Sequence, residues 1–163
     1  MNLLKSSLLA VALLATAPLA MAGTATANMN VTLTLNNSCT VAANALNFNT
    51  QTTLATAIDA QTTVAVTCVS AGAYTVTLGA GGGTGATFAS RKMTGPSSAT
   101  INYSLYAESG RTSVLGDGTS STVTLAGSNS GTTTFDVYGR VPGSQNPKPI
   151  GTYNDTVVAT VTF

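Results

Sequence analysis

Few residues in this chain can do chemistry. It has two cysteines, Cys39 and Cys68, five acids (Asp59, Glu108, Asp117, Asp136 and Asp155) and no histidine. Without histidine there is no Ser-His-Asp triad, no Cys-His dyad and no His-based metal site. What remains for catalysis is carboxylate chemistry of the glycosidase type, which needs two acids facing each other across a bond. The five acids are scattered along the sequence. The reading is that the protein is not an enzyme and uses no metal or cofactor. Gly79 to Gly85 (GAGGGTG) lacks the Lys-Ser/Thr of a phosphate-binding loop and opens no helix, so it reads as a flexible loop between strands. Asn30, Asn36, Asn102 and Asn154 each begin an Asn-x-Ser/Thr triplet, which chance supplies in a chain with thirty threonines. Arg91-Lys92 is the only adjacent charge pair and reads as a solvated loop.

The chain's composition narrows the function classes further. Of 163 residues 44% are hydrophobic and only 7% charged, against about 25% charged in an average soluble domain. The formal net charge is +1. No basic patch exists to hold a phosphate backbone, which excludes nucleic acid as a partner. The charge is too low and the β-branched content too high for ordinary disorder. One domain with a real core is expected.

Residues 1–22 read as a secretory signal peptide: Lys5 is the positive start, Leu8 to Ala15 the apolar stretch, and Ala20-Met21-Ala22 a small-x-small cleavage site. The apolar stretch is too short to span a bilayer. The mature chain is expected to start at Gly23 and to be exported. Without Lys5 its charges balance, five basic against five acidic. In an oxidising compartment Cys39 and Cys68 read as a disulfide rather than two buried thiols. Closing a loop of about 30 residues stabilises a fold by about 3–4 kcal/mol on the chain-entropy model.

The elements that position these residues are strands. No apolar stretch keeps a period of 3.6 for three turns, whereas period 2 recurs. It runs through Val64, Val66 and Cys68; Tyr74, Val76 and Leu78; Ile101, Tyr103 and Leu105; Val123 and Leu125; Phe135 and Val137; and Val157, Ala159, Val161 and Phe163. Threonine fills many outward positions, as suits a half-buried pleated surface. Turn signals separate the runs at Ser70-Ala71-Gly72, Gly95-Pro96, Asn129-Ser130-Gly131 and Pro142-Gly143, and Asp117-Gly118 reads as a hairpin turn. Short, regularly spaced strands of this kind predict an all-β, immunoglobulin-like antiparallel sandwich. Tyr138 falls opposite Phe135 and Val137 in the alternation and is expected at the surface beside Arg140.

One segment fits a closed domain poorly. Residues 25–35 (ATANMNVTLTL) alternate strictly, with Ala25, Ala27, Met29, Val31, Leu33 and Leu35 on one side and Thr or Asn on the other. One face of such a strand must be buried. It carries none of the charges, prolines or glycines with which edge strands avoid other chains. Asn36-Asn37-Ser38 breaks the pattern before Cys39. Two readings stay open on pattern alone: the first strand of the domain's own sheet, or a donor strand that completes the sheet of a neighbouring subunit.

Several pieces together resemble the spore coat protein U family, which includes subunits of archaic (Csu-type) chaperone–usher pili. They are Cys39-Thr40-Val41, Thr67-Cys68, Tyr74-Thr75-Val76-Thr77-Leu78, Asn102-Tyr103-Ser104-Leu105-Tyr106, Val141-Pro142, Gln145-Asn146-Pro147, and Gly151 to Val157, closing on Val161-Thr162-Phe163. Many members carry Trp before the turn that here reads Leu115-Gly116-Asp117-Gly118; this chain has none. The resemblance implies a sandwich missing its last strand, filled first by a periplasmic chaperone and then by the N-terminal extension of the next subunit. It implies residues 23–37 as donor extension and hinge, residues 38–163 as the pilin domain, and Ala27, Met29, Val31, Leu33 and Leu35 as the inserted side chains. Val157, Ala159, Val161 and Phe163 would line the acceptor groove, and the Phe163 carboxylate would meet the chaperone's basic residues. Implied partners are identical subunits in a homopolymer, the chaperone, an outer-membrane usher and a tip adhesin, with the fibre at the cell surface serving adhesion and biofilm formation. The alternatives are a monomeric carbohydrate-binding sandwich that pairs residues 25–35 with itself, and a non-fibrous coat-layer protein of the same family.

Overall fold

The computed structural model describes residues 21–163. Of the expected leader only Met21 and Ala22 fall among them, and the remainder of that expectation lies outside the described residues. The chain divides into an N-terminal unit ending at Thr34 and a sandwich unit, Leu35–Phe163. In the first unit, residues 21–34 belong to no strand and every one is exposed. The expectation that residues 25–35 form the first strand of the chain's own sheet is therefore not met.

The sandwich unit is built from β1 (Cys39–Ala43), β2 (Ile58–Cys68), β3 (Tyr74–Leu78), β4 (Arg91–Thr94), β5 (Thr100–Tyr106), β6 (Leu125–Gly127), β7 (Gly131–Val141) and β8 (Ala159–Thr162), with one short 3-10 turn at Pro96–Ser98. Five strands form one sheet in the order β1-β2-β7-β5-β4, and three form the other in the order β6-β3-β8. Every ladder between these strands is antiparallel. This is the all-β, immunoglobulin-like sandwich that the alternation predicts.

The alternation also places the core. Val64 and Val66 of β2, Tyr74, Val76 and Leu78 of β3, Ile101, Tyr103 and Leu105 of β5, and Val137 and Val141 of β7 are all buried. Directly opposed residues share a face, so the β2–β7 register that sets Val64 against Phe135 puts both toward the other sheet. Cys39 and Cys68 lie opposite each other at the start of the β1–β2 ladder and are bonded as a disulfide. Leu115, at the head of the Leu115-Gly116-Asp117-Gly118 turn, is completely buried.

The structure corrects several local expectations. Arg91-Lys92 is no solvated loop. Arg91 opens β4, opposite Tyr103, and its side chain points inward and is fully buried. A buried guanidinium needs its five N–H groups satisfied. It donates to the carbonyls of Leu78 (3.1 Å), Gly79 (2.9 Å), Phe88 (2.8 Å) and Leu115 (2.8 Å), and it lies 5.9 Å over the Phe88 ring. Burial pulls its pKa down from the ordinary value. The side chain thus staples β4, the β3 exit and the Leu115 turn together.

The Gly79 to Gly85 loop joins β3 to β4 as expected, but it is tied down. Gly82 N donates to Asp155 (2.7 Å) and Lys92 Nζ to the Thr84 carbonyl (3.3 Å). Asp117-Gly118 makes a turn rather than a hairpin. The Asp117 carboxylate accepts from Thr119 N and Oγ1, Gly118 takes φ +87°, and the loop returns to a parallel bridge between Leu115 and Val123. Leu115 takes the core position there, which leaves Val123 36% exposed. Tyr138 is half-buried rather than open, because Arg111 lies 5.7 Å over its ring.

Candidate functional site

The two sheets end differently along their two seams. β1 is an edge of the larger sheet and β8 an edge of the smaller one, and the two come close without pairing. Each therefore keeps an outward row of backbone N–H and C=O groups with no strand partner. A groove of about 350 Å³ opens at this seam. Ala43 to Leu46, running on from β1, form one wall, and Asp155, Val157 and Ala159, leading into β8, form the other. Val64, Leu78, Leu105 and Val137 form the floor. These floor residues are core side chains, so the groove is a place where the core reaches the surface.

Local chemistry holds both walls. After β1 the backbone leaves the ladder, and Thr62 Oγ1 donates to the carbonyls of Asn44 (3.0 Å) and Ala45 (3.1 Å). Leu46 and Phe48 then lie across β7 at Gly139. A Cβ on Gly139 would come within 2.5 Å of Leu46 and 2.9 Å of Phe48, so a larger residue there would push both side chains aside. Phe48 meets Tyr103 edge to face at 6.2 Å.

On the opposite wall Asp155 accepts from Tyr103 Oη (2.7 Å), Gly82 N (2.7 Å) and Thr156 N (2.7 Å). Burial, reinforced by the bond to Asp155, pushes the Tyr103 hydroxyl well above its ordinary pKa, so it stays protonated and donates. Asp155 and Tyr103 are the ionisable residues of the lining, and each is engaged by the other. What the groove offers is apolar sockets and free strand edges, the requirements for adding a strand from outside.

The structure distributes the sequence-derived residues unevenly. Val157 and Ala159 line the groove. Val161 is half-buried on the same face of β8, and Phe163 is 55% exposed beyond it. Ala27, Met29, Val31, Leu33 and Leu35 are all exposed, Met29 and Val31 at 85% and Leu33 at 90%. Leu46, Phe48, Tyr103 and Asp155 also belong to the site, and the sequence does not mark them as such. Leu46 and Phe48 alternate, but alternation alone does not tell a groove wall from an ordinary strand.

The acids have structural partners. Asp59 takes a two-point bond from Arg140 (2.7 and 2.8 Å) and a contact from Arg111 (3.3 Å), and the bond from Arg140 draws its pKa down. Glu108 accepts from Thr112 Oγ1 and N and from Ser113 N, which holds it at about 2. Among the described residues there is no group of three His, Cys, Asp or Glu able to hold a metal. No helix there is long and apolar enough to cross a membrane.

The model of the Spore Coat Protein U domain matches residues 25–160. The chain belongs to that family. The match takes in most of the described residues, including the exposed alternating segment and β1 through the start of β8. No curated protein sequence matches this Spore Coat Protein U domain chain. Among solved structures it is similar to a chain of the CsuC–CsuE chaperone–tip adhesion subunit pre-assembly complex from the archaic chaperone–usher Csu pili of Acinetobacter baumannii, with a TM-score of 0.59 and 20% identity. The likeness covers 80% of this chain and 40% of that one, so the chain spans less than half that relative's length. At this identity the likeness speaks for the fold.

Proposed function

We propose that this Spore Coat Protein U domain protein is a structural subunit of a chaperone–usher pilus, polymerised by donor-strand exchange. One observation carries the reading. The most regular strand pattern in the sequence, residues 25–35, belongs to no strand and exposes Met29, Val31, Leu33 and Leu35. Single exposed apolar residues are ordinary, but an unbroken alternating row needs a partner surface.

The groove at the β1–β8 seam offers such a surface on a second copy. Each large side chain buried there would yield about 1.5–3 kcal/mol of gross transfer free energy. The strand edges on either side would pair with its backbone. A copy that gives a strand and takes one makes a head-to-tail contact, which grows into an open filament where the rotation between copies does not close. In this reading residues 1–22 direct export, residues 23–37 are donor and hinge, and residues 38–163 are the acceptor sandwich. A chaperone occupies the groove before assembly, an usher and a tip adhesin complete the system, and the fibre at the cell surface serves attachment and biofilm formation.

The test is gel electrophoresis in SDS of material sheared from producing cells, with and without boiling. A ladder of multimers that collapses to one subunit band on boiling is expected, since a withdrawn strand would bare apolar side chains and unpaired backbone together. A single band near the subunit mass without boiling would count against polymerisation.

A further inference from the structure

The sandwich unit holds the start of its chain through one side chain. Residues 21–36 are exposed throughout, and Asn37 is the first residue to be half-buried. The β1–β2 ladder ends at the Cys39–Cys68 pair, and one more backbone bond follows, from Val69 N to the Ser38 carbonyl at 3.0 Å. Beyond it the Asn37 side chain takes over from the backbone. Its Oδ1 accepts from Ser38 N at 2.9 Å and from Ser70 N at 3.2 Å, and its Nδ2 points to the Cys39 sulfur at 3.8 Å. The amide sits over Gly72, where an added Cβ would come within 3.1 Å of Nδ2. Gly72 N is in turn held by the Ser128 carbonyl at 3.0 Å.

We infer that Asn37 is a positioning residue: its amide extends the β1 ladder by one step and makes Asn37, rather than Ser38, the first fixed residue of the sandwich. A free three-residue hinge at Asn36-Asn37-Ser38 would let that segment swing. Pinning two of the three leaves Asn36 as the only loose link on the sandwich side. Asparagine suits the role because one oxygen can accept two N–H groups while the nitrogen donates elsewhere. Alanine would release both amides to water. The consequence for a fibre rests on the donor-strand reading: the joint between successive subunits would be stiff, and fibre stiffness would depend on Asn37.

Sheared fibres traced by electron microscopy test this. Asn37→Ala should keep the heat-sensitive ladder and shorten the persistence length at least about twofold, as expected when a pinned link becomes flexible. Asn37→Asp keeps the accepting oxygen and should stay nearer the parent. Gly72→Ala crowds the amide without touching Asn37 itself, so it should shorten the fibre's persistence length even if Asn37→Ala fails to be exported. Unchanged persistence length in both Asn37→Ala and Gly72→Ala would overturn the inference. If the parent gives no ladder, the donor-strand reading fails separately, and the joint is then read by 15N relaxation on the monomer. Backbone order should begin at Asn37 in the parent and at Ser38 in Asn37→Ala; the same onset in both would overturn it.

Discussion

Two stretches of this chain have the same length and the same kind of pattern but opposite surroundings. β2 runs eleven residues from Ile58 to Cys68 and is paired along one side with β7 and along the other with β1. Residues 25–35 also alternate for eleven residues, more strictly, yet no strand includes them. Val66, in the first, is wholly buried, while Val31, in the second, is 85% exposed. The comparison teaches that alternation states which face must be covered and leaves open which molecule covers it. β2 finds its cover within the chain because the second sheet packs Tyr74, Val76 and Leu78 into the same core. The N-terminal segment carries an equal demand and keeps it unmet.

Substitutions can break or sharpen that contrast. The largest effect is expected from Val66→Asp, which would bury a carboxylate with no partner. A cost of at least about 4 kcal/mol is expected, a large share of a domain's ordinary stability of about 5–15 kcal/mol, read as a large fall in the urea midpoint. A smaller effect comes from acid. Glu108 is held at about 2 by bonds from the Thr112 hydroxyl and the Ser113 and Thr112 amides, below its ordinary 4.5, and Asp59 and Asp117 are also lowered. A depressed carboxylate stabilises the fold above its unfolded pKa and ceases to as it is protonated in the fold. Stability should therefore hold at neutral pH and decline between about pH 4.5 and 2, which thermal melts across that range would detect. The smallest effect on the sandwich is expected from Val31→Asp, within about 0.5 kcal/mol because the residue is exposed. The same change should remove the multimer ladder entirely. A ladder that survives Val31→Asp would erase the distinction between the two stretches as drawn here.

Much of the sandwich is legible in the sequence, since β2, β3, β5 and β7 follow from period 2 and their buried faces from the same count. Arg91 is not legible. A charged residue next to another normally faces water, and its four carbonyl partners come from Leu78, Gly79, Phe88 and Leu115, which only the fold brings together. The groove is half legible. Val157 and Ala159 stand in the alternation, but the opposite wall depends on Leu46 and Phe48 settling over Gly139, a contact between distant parts of the chain. The Asp117-Gly118 hairpin fails for a related reason: the dipeptide fixes a turn, while the strands it would join run parallel at their one bridge. Asn37 reads only as part of a polar break until Ser70 is placed beside it.

The buried Arg91 bears on the conditions this fold can meet. A guanidinium keeps its proton across any ordinary pH, and main-chain carbonyls have no proton to gain or lose. A staple made only of these parts has nothing in it that acid or mild alkali can switch off. The carboxylates whose bonds hold their pKa down, Asp59, Glu108 and Asp117, lie outside the core. As the surroundings acidify, this protein should loosen from its skin inward, with β4, the β3 exit and the Leu115 turn among the last parts to let go.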